Sequence, residues 1–135
     1  MLMKDKYFAD TNIVVYVFDT NESKKAKAIE IIQQQPLISS QVIIESLNVC
    51  IKKLKLSKEK SIKNADYLMQ YCQYFSIGTS TFIKAFDISK KYGYSHLDSL
   101  VIASALESGC KILYSEDLQH KQIIENKIQI INPFV

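Results

Sequence analysis

Four carboxylates could do chemistry together in this chain if its fold brings them to one place: Asp10, Glu45, Asp98 and Asp117. Such groups repel when crowded, and each holds its proton more tightly unless a cation compensates. A hard divalent ion supplies that compensation. An oxygen-only donor set selects Mg2+ or Mn2+ over zinc, and Mg2+ keeps several waters while taking one or two carboxylates directly. Water on such an ion is easier to deprotonate and can attack a phosphodiester, so no side chain need be the nucleophile. One ion or two are both compatible with the sequence. Thr11, Asn12, Ser115 and Glu116 stand beside the acids and could orient carboxylates or waters.

Taken singly, each acid has an ordinary explanation. Asp10 precedes a helical run and suits an N-cap. Ser95 and Asp98 have the spacing of a capping box. Glu45 shares a face with the polar Gln41, Asn48 and Lys52, although Val42-Ile43-Ile44 before it and Leu47 after it leave that face narrow. Asp117 follows Glu116 in a turn, where acids are common. The joint reading therefore depends on the elements that carry them.

The first strand is expected over residues 6–10, followed by a short buried helix over 12–18. Residues 22–35 read as a helix with Ala26, Ile29 and Ile32 on one face, stopped by Pro36. Leu37-Ile38-Ser39 is a second strand. A helix over 41–54 turns Ile43, Leu47, Cys50, Ile51 and Leu54 inward, and Ser57 caps another that ends near Tyr71, striped by Ile62, Ala65, Leu68 and Met69. Residues 74–77 form a third strand. A helix over 79–92 closes with Lys90, Lys91 and Gly93. The helix over 95–108 is almost wholly apolar after Asp98. Strands over 111–114 and 128–131 complete the chain.

Strands alternating with helices imply an α/β domain: three layers, α/β/α, with a mostly parallel five-stranded sheet flanked by about six helices. Ligands of such sheets bind beyond the carboxyl ends of the strands. Asp10 ends the first strand and Asp117 lies just past the fourth. Glu45 falls in the second turn after the second strand. Asp98 opens the helix that feeds the fourth. All four are expected at one edge of one sheet.

The 135 residues, 47% hydrophobic and 23% charged, suit one domain over residues 1–135 with a single core. Three glycines and two prolines leave no linker. No apolar run approaches the roughly 20 residues of a membrane helix, and Met1 to Lys6 lead into no signal-like segment; a cytoplasmic protein is expected. Cys50, Cys72 and Cys110 sit among apolar neighbours and read as buried thiols. Two histidines are too few for a histidine-based metal site. All 17 basic residues are lysine and the net charge is +3. Lysine attracts a phosphate backbone diffusely, whereas arginine supplies the fork that reads guanine. Sequence choice, if there is any, would then come from shape or main-chain contacts.

The chain resembles the PIN-domain nucleases, and more closely the VapC-like toxins of bacterial type II toxin–antitoxin pairs. The resemblance rests on Phe8-Ala9-Asp10-Thr11-Asn12-Ile13, on Ser39-Ser40-Gln41-Val42-Ile43-Ile44-Glu45 with Asn48-Val49, on His96-Leu97-Asp98-Ser99-Leu100-Val101-Ile102-Ala103-Ser104-Ala105, on Leu113-Tyr114-Ser115-Glu116-Asp117-Leu118, and on Ile131-Asn132-Pro133-Phe134. It implies a Mg2+-dependent (or Mn2+-dependent) endoribonuclease, dimeric and inhibited by a cognate antitoxin. By the family pattern Asp10, Glu45, Asp98 and Asp117 are the metal-site acids, with Glu116 an alternative to Asp117. Lys121 stands where similar proteins often have Gly. Family members cut different RNAs, so the resemblance names no target.

Lys52, Lys53 and Lys55 lead a lysine cluster one helix downstream of Glu45. They could hold RNA phosphates or simply be a solvated face. A catalytically silent RNA- or protein-binding module with the same fold is the alternative function. A phosphoacceptor receiver domain would need an acid at the end of the third strand, where the chain has Ile77-Gly78-Thr79.

Overall fold

A computed structural model of the chain describes residues 5–135. The expectation about Met1 to Lys6 therefore falls mostly outside the described residues. Among them, no helix is long and apolar enough to cross a membrane.

The sheet has the strand order β3-β2-β1-β4-β6-β5, formed by β1 (Tyr7–Ala9), β2 (Leu37–Ser39), β3 (Gln73–Phe75), β4 (Ile112–Tyr114), β5 (Ile123–Ile124) and β6 (Ile128–Ile131). Every pair is parallel except β5 with β6. Strand β1 is central, between β2 and β4. The chain first builds outward from β1 through β2 to β3, then returns to place β4 on the other side of β1. That reversal makes a switch point, the crevice where open parallel sheets bind ligands.

Six helices flank the sheet: α1 (Thr11–Val14), α2 (Glu22–Gln33), α3 (Ser40–Lys52), α4 (Lys58–Tyr71), α5 (Thr79–Tyr92) and α6 (His96–Glu107). Helix α1 continues as a 3-10 turn, Val15–Phe18, where a single helix was expected over 12–18. Side chains branched at Cβ, Val14, Val15 and Val17, crowd an α-helical turn, and a short 3-10 run relieves that at a chain bend. Ser39, Ser57 and Ser95 accept backbone N–H bonds as N-caps of α3, α4 and α6. Gly93 ends α5 with φ +77°, a conformation that favours glycine.

Two expectations are corrected. The sheet has six strands rather than five. The extra one, β5, is a two-residue edge folded back through Glu125 and Asn126, both at positive φ as a primed hairpin turn requires. Two residues are too few to show a periodicity in the sequence. The buried helix faces are also rotated. Ala26 is exposed while Ala28, Ile31 and Ile32 are buried, and Ile51, Ile62 and Met69 face outward. In their place Ser46 and Ser61 are buried with Cys50, Ala65 and Leu68. The Ser46 hydroxyl donates to the Ile43 carbonyl and Ser61 to the Ser57 carbonyl, both at 2.8 Å. A serine satisfied by its own helix packs like a small residue and lets helices approach closely.

The core runs through Phe8, Ile38, Leu113, Ile128 and Ile130 on the strands to Val101, Ile102 and Ala105 on α6. A helix apolar on all sides is a buried helix, so α6 is fixed in the interior and its first turn carries Asp98 at a set place. Ile102 is fully buried. Ile102→Ala is expected to cost about 2–5 kcal/mol in urea unfolding. A loss below about 1 kcal/mol would contradict this packing.

Candidate active site

At the switch point, the ends of β1 and β4 are joined by side chains. The Asp10 N–H donates to the Tyr114 carbonyl at 3.0 Å, and Ser115 donates through its backbone to Ile131, also at 3.0 Å. Asp10 is only 6% exposed. Its Oδ1 accepts the Thr11 N–H at 2.7 Å, which caps α1. Its Oδ2 accepts the Ser115 hydroxyl at 3.0 Å. Capping and site-building are therefore done by one side chain.

Asn12 carries the connection onward. Its amide nitrogen lies 3.0 Å from Asp117 Oδ2 and 3.4 Å from both Asp10 Oδ2 and Ser115 Oγ, while its Oδ1 accepts the Glu116 N–H at 3.0 Å. Thr11 Oγ1 donates to Glu45 Oε1 at 3.4 Å. The residues expected to orient the acids thus touch three of them.

A cleft of about 280 Å3 opens above these groups, and Asp10, Glu45, Asp98 and Asp117 all line it. Helix α3 runs along it with Gln41, Glu45 and Val49, the four-residue spacing of one helix face, and its C-cap residue Lys53 continues that row. Of the three lysines singled out, Lys53 lines the cleft; Lys52 and Lys55 are exposed and do not. Asp19, read from the sequence only as part of a break, lines it too, because the 3-10 turn after α1 swings the chain back over the edge. Nothing in its local pattern could have marked it.

The electrostatics follow from this packing. Burial pushes the Asp10 carboxyl up from 3.8 to about 7; the Ser115 and Thr11 hydrogen bonds oppose the rise, and the Glu45 and Asp98 charges add to it. Burial also raises Glu45, against the Thr11 and Gln41 hydrogen bonds, with the Asp98 charge adding to the rise. Glu116 behaves differently. Burial pulls it upward, but Lys24 and the Tyr16 hydroxyl outweigh that and hold it below the usual carboxylate range. The Lys24 ammonium pairs with Glu116 Oε2 and sits 4.9 Å from the Tyr16 ring centroid and 5.1 Å from that of Phe134. Glu116 is thus already neutralised, whereas Asp117 receives only the Asn12 amide among the described residues.

The acids fit a divalent ion by their chemistry: four oxygen donors from four segments, one of them buried at a net electrostatic cost. Among the described residues, no three His, Cys, Asp or Glu side chains stand close enough together to hold a metal ion between them. Spread carboxylates are what mutual repulsion favours, and a hydrated Mg2+ needs only one or two of them directly. His120 lies away from the cleft and its Nδ1 accepts the Asn132 N–H at 2.9 Å. Lys121 beside it has φ +70°, a left-handed conformation that favours glycine.

A mostly parallel α/β domain with a carboxylate-lined cleft at its switch point is the class defined by this geometry. The sequence matches the PIN domain model over residues 7–126, and the chain belongs to that family. No curated protein sequence matches it significantly. Among solved structures, DNA-bound VapBC from Salmonella typhimurium is similar at TM-score 0.70 and 17% identity, covering 94% of this chain and 97% of that one. A toxin–antitoxin complex from Klebsiella pneumoniae matches at TM-score 0.69 and 18% identity, over 96% and 98% of the two chains. Mycobacterium tuberculosis VapC20, described as a sarcin–ricin loop cleaving toxin, matches at TM-score 0.68 and 14% identity, over 83% and 90%. At these identities the likeness establishes the fold.

The Asp10 carboxyl sets a pH dependence. Its folded pKa is raised, so between about pH 4 and 7 the folded state binds the proton more tightly than the unfolded chain. Stability therefore falls as pH rises through that window and levels off above it. In EDTA, Asp10→Asn is expected to exceed the wild type at pH 8 by on the order of 2 kcal/mol in urea unfolding, with the gap closing toward pH 4. A difference independent of pH would contradict the burial of an ionisable Asp10.

Proposed function

We propose that the chain is a Mg2+- or Mn2+-dependent endoribonuclease and the toxin of a toxin–antitoxin pair. The observation that carries this reading is the meeting of Asp10, Glu45, Asp98 and Asp117 in one cleft of a PIN fold. The structural neighbours add support: one is described as an RNA-loop-cleaving toxin and others are VapBC or toxin–antitoxin complexes.

Bound Mg2+ or Mn2+ would activate water and stabilise the charge that develops on the phosphate and the leaving oxygen. Asp10, Glu45, Asp98 and Asp117 would hold the ion or its waters. Thr11 and Ser115 fix the rotamer of Asp10, and Thr11 also restrains Glu45. Asn12 tethers the exposed Asp117 carboxylate through the same amide nitrogen that lies near Asp10. Lys53, on the cleft wall, would attract the RNA backbone without reading bases. Glu116 orients rather than ligates, since Lys24 and Tyr16 already engage both of its oxygens.

An antitoxin and a second copy of the chain are the proposed partners. Large apolar side chains left exposed on α3 to α6, among them Ile44, Ile62, Phe82, Phe86 and Leu97, offer surface for both. The alternative is a module that keeps the fold and cuts nothing; the wide spacing of the carboxylates is the observation in its favour.

Cleavage of single-stranded RNA separates the readings. Cleavage is expected with Mg2+ or Mn2+ and not with EDTA, reduced about 100-fold or more in Asp10→Asn and Asp98→Asn, and less than about tenfold in Glu116→Gln. Equal cleavage by the first two variants, or in chelator, would overturn the metal mechanism. For the partner, co-expression with a neighbouring short reading frame is expected to give a complex that co-purifies and no longer cleaves. Active, unbound protein from that co-expression would remove the toxin assignment while leaving the nuclease intact.

A further inference from the structure

Lys24 stands in the first turn of α2 and does not line the cleft, yet three segments of the chain hold its ammonium. It pairs with Glu116 Oε2 and donates to the Tyr16 hydroxyl at 3.2 Å. It lies over the rings of Tyr16 and Phe134, which meet edge to face with centroids 5.2 Å apart. Phe134 is itself held. Its N–H donates to Asn132 Oδ1, and the Asn132 N–H donates to His120 Nδ1, both at 2.9 Å. The ammonium is thus framed by the turn after α1, by α2 and by the segment after β6.

The partner of that ammonium does line the cleft. The Glu116 side chain is 24% exposed there and precedes Asp117 in the chain. The Tyr16 hydroxyl donates to its Oε1 at 2.7 Å, so with Lys24 on Oε2 both oxygens are engaged. Lys53 on the cleft wall also acts on the Glu116 charge but makes no ion pair with it. Lys24 is therefore the cation that answers Glu116. The Glu116 N–H donates to Asn12 Oδ1 at 3.0 Å, and the Asn12 amide holds Asp117 Oδ2 at 3.0 Å. Without Lys24, Glu116 would be one more free carboxylate among Asp10, Asp19, Glu45, Asp98 and Asp117. It would repel Asp117 beside it and compete as an oxygen donor for a divalent ion.

We propose that Lys24 is a positioning residue: caged by Tyr16 and Phe134, it holds the Glu116 carboxylate out of the set of acids that takes the ion. The role rests on the metal-dependent reading above. It goes further by giving a lysine outside the cleft control over which carboxylates are free inside it. A surface ion pair by itself adds little to stability, so the effect of Lys24 is expected at the ion and in turnover more than in unfolding.

Full-length wild type, Lys24→Met, Lys24→Arg and the double variant Lys24→Met with Glu116→Gln are to be compared by Mn2+ titration calorimetry, thermal unfolding in EDTA, and steady-state RNA cleavage. Methionine keeps the length of the side chain and removes its charge. Lys24→Met is expected to bind Mn2+ about tenfold more tightly, because a free carboxylate is added near the ion. Its kcat is expected to fall about tenfold with KM little changed, because the added donor draws the ion from its working place. Lys24→Arg keeps the charge and the pair, and is expected to hold Mn2+ affinity within about threefold of wild type. The double variant removes the freed charge and is expected to bring Mn2+ affinity back to that range and to recover most of the lost kcat. A Lys24→Met that loses Tm but binds Mn2+ like the wild type would make Lys24 merely structural and overturn the role. A raised KM with unchanged Mn2+ affinity would assign Lys24 to the RNA and overturn it too. So would a double variant no nearer to wild type than Lys24→Met. Failure of the wild type itself to bind Mn2+ would instead sink the metal reading, and this role with it.

Discussion

The Asp10 carboxylate sits out of water at the end of the central strand, held by the Thr11 N–H and the Ser115 hydroxyl. Much else in the structure depends on that arrangement. Two hydrogen bonds do not repay the loss of hydration, which is why burial dominates and lifts the group to about 7. The fold nevertheless places it where β1 and β4 part, and gives it a second task as the cap of α1. A costly burial of this kind, in a sequence otherwise consistent with its fold, is the mark of a candidate functional position.

From Asp10 the network spreads by touch. Asn12 reaches Ser115, Asp117 and the Glu116 backbone, so the turn after β4 is registered against the turn after β1. Lys24, framed by Tyr16 and Phe134, removes Glu116 from the set of free charges. The cleft's other acids are Asp10, Asp19, Glu45, Asp98 and Asp117, while Lys53 stands on its wall. A divalent cation would balance that charge, and a phosphate backbone is the kind of anion that such a cation and a lysine together would draw in.

Much of this was legible in the residues. The strand-then-acid pattern at Phe8 to Asp10, the apolar run of α6 and the caps at Ser57 and Ser95 each depend on local chemistry, and each was placed within a residue or two. The convergence of the four acids followed from topology alone. What could not be read depended on neighbours. Ile51, Ile62 and Met69 look like core and face outward, because Ser46 and Ser61 satisfy their own hydroxyls and take the close contact. Strand β5 exists only because β6 is beside it. Asp19 enters the cleft through a 3-10 turn with no sequence mark, and Lys53 separates from Lys52 and Lys55 only once the face of α3 is known.

The central claim is that the cleft at the β1–β4 switch point holds a divalent ion. Anomalous diffraction from crystals soaked in Mn2+ tests it most directly. The account predicts anomalous density in the cleft, between Asp10, Glu45 and Asp98, that is lost in Asp10→Asn crystals. Wild-type crystals with no anomalous density in the cleft, or with density only elsewhere on the surface, would contradict it.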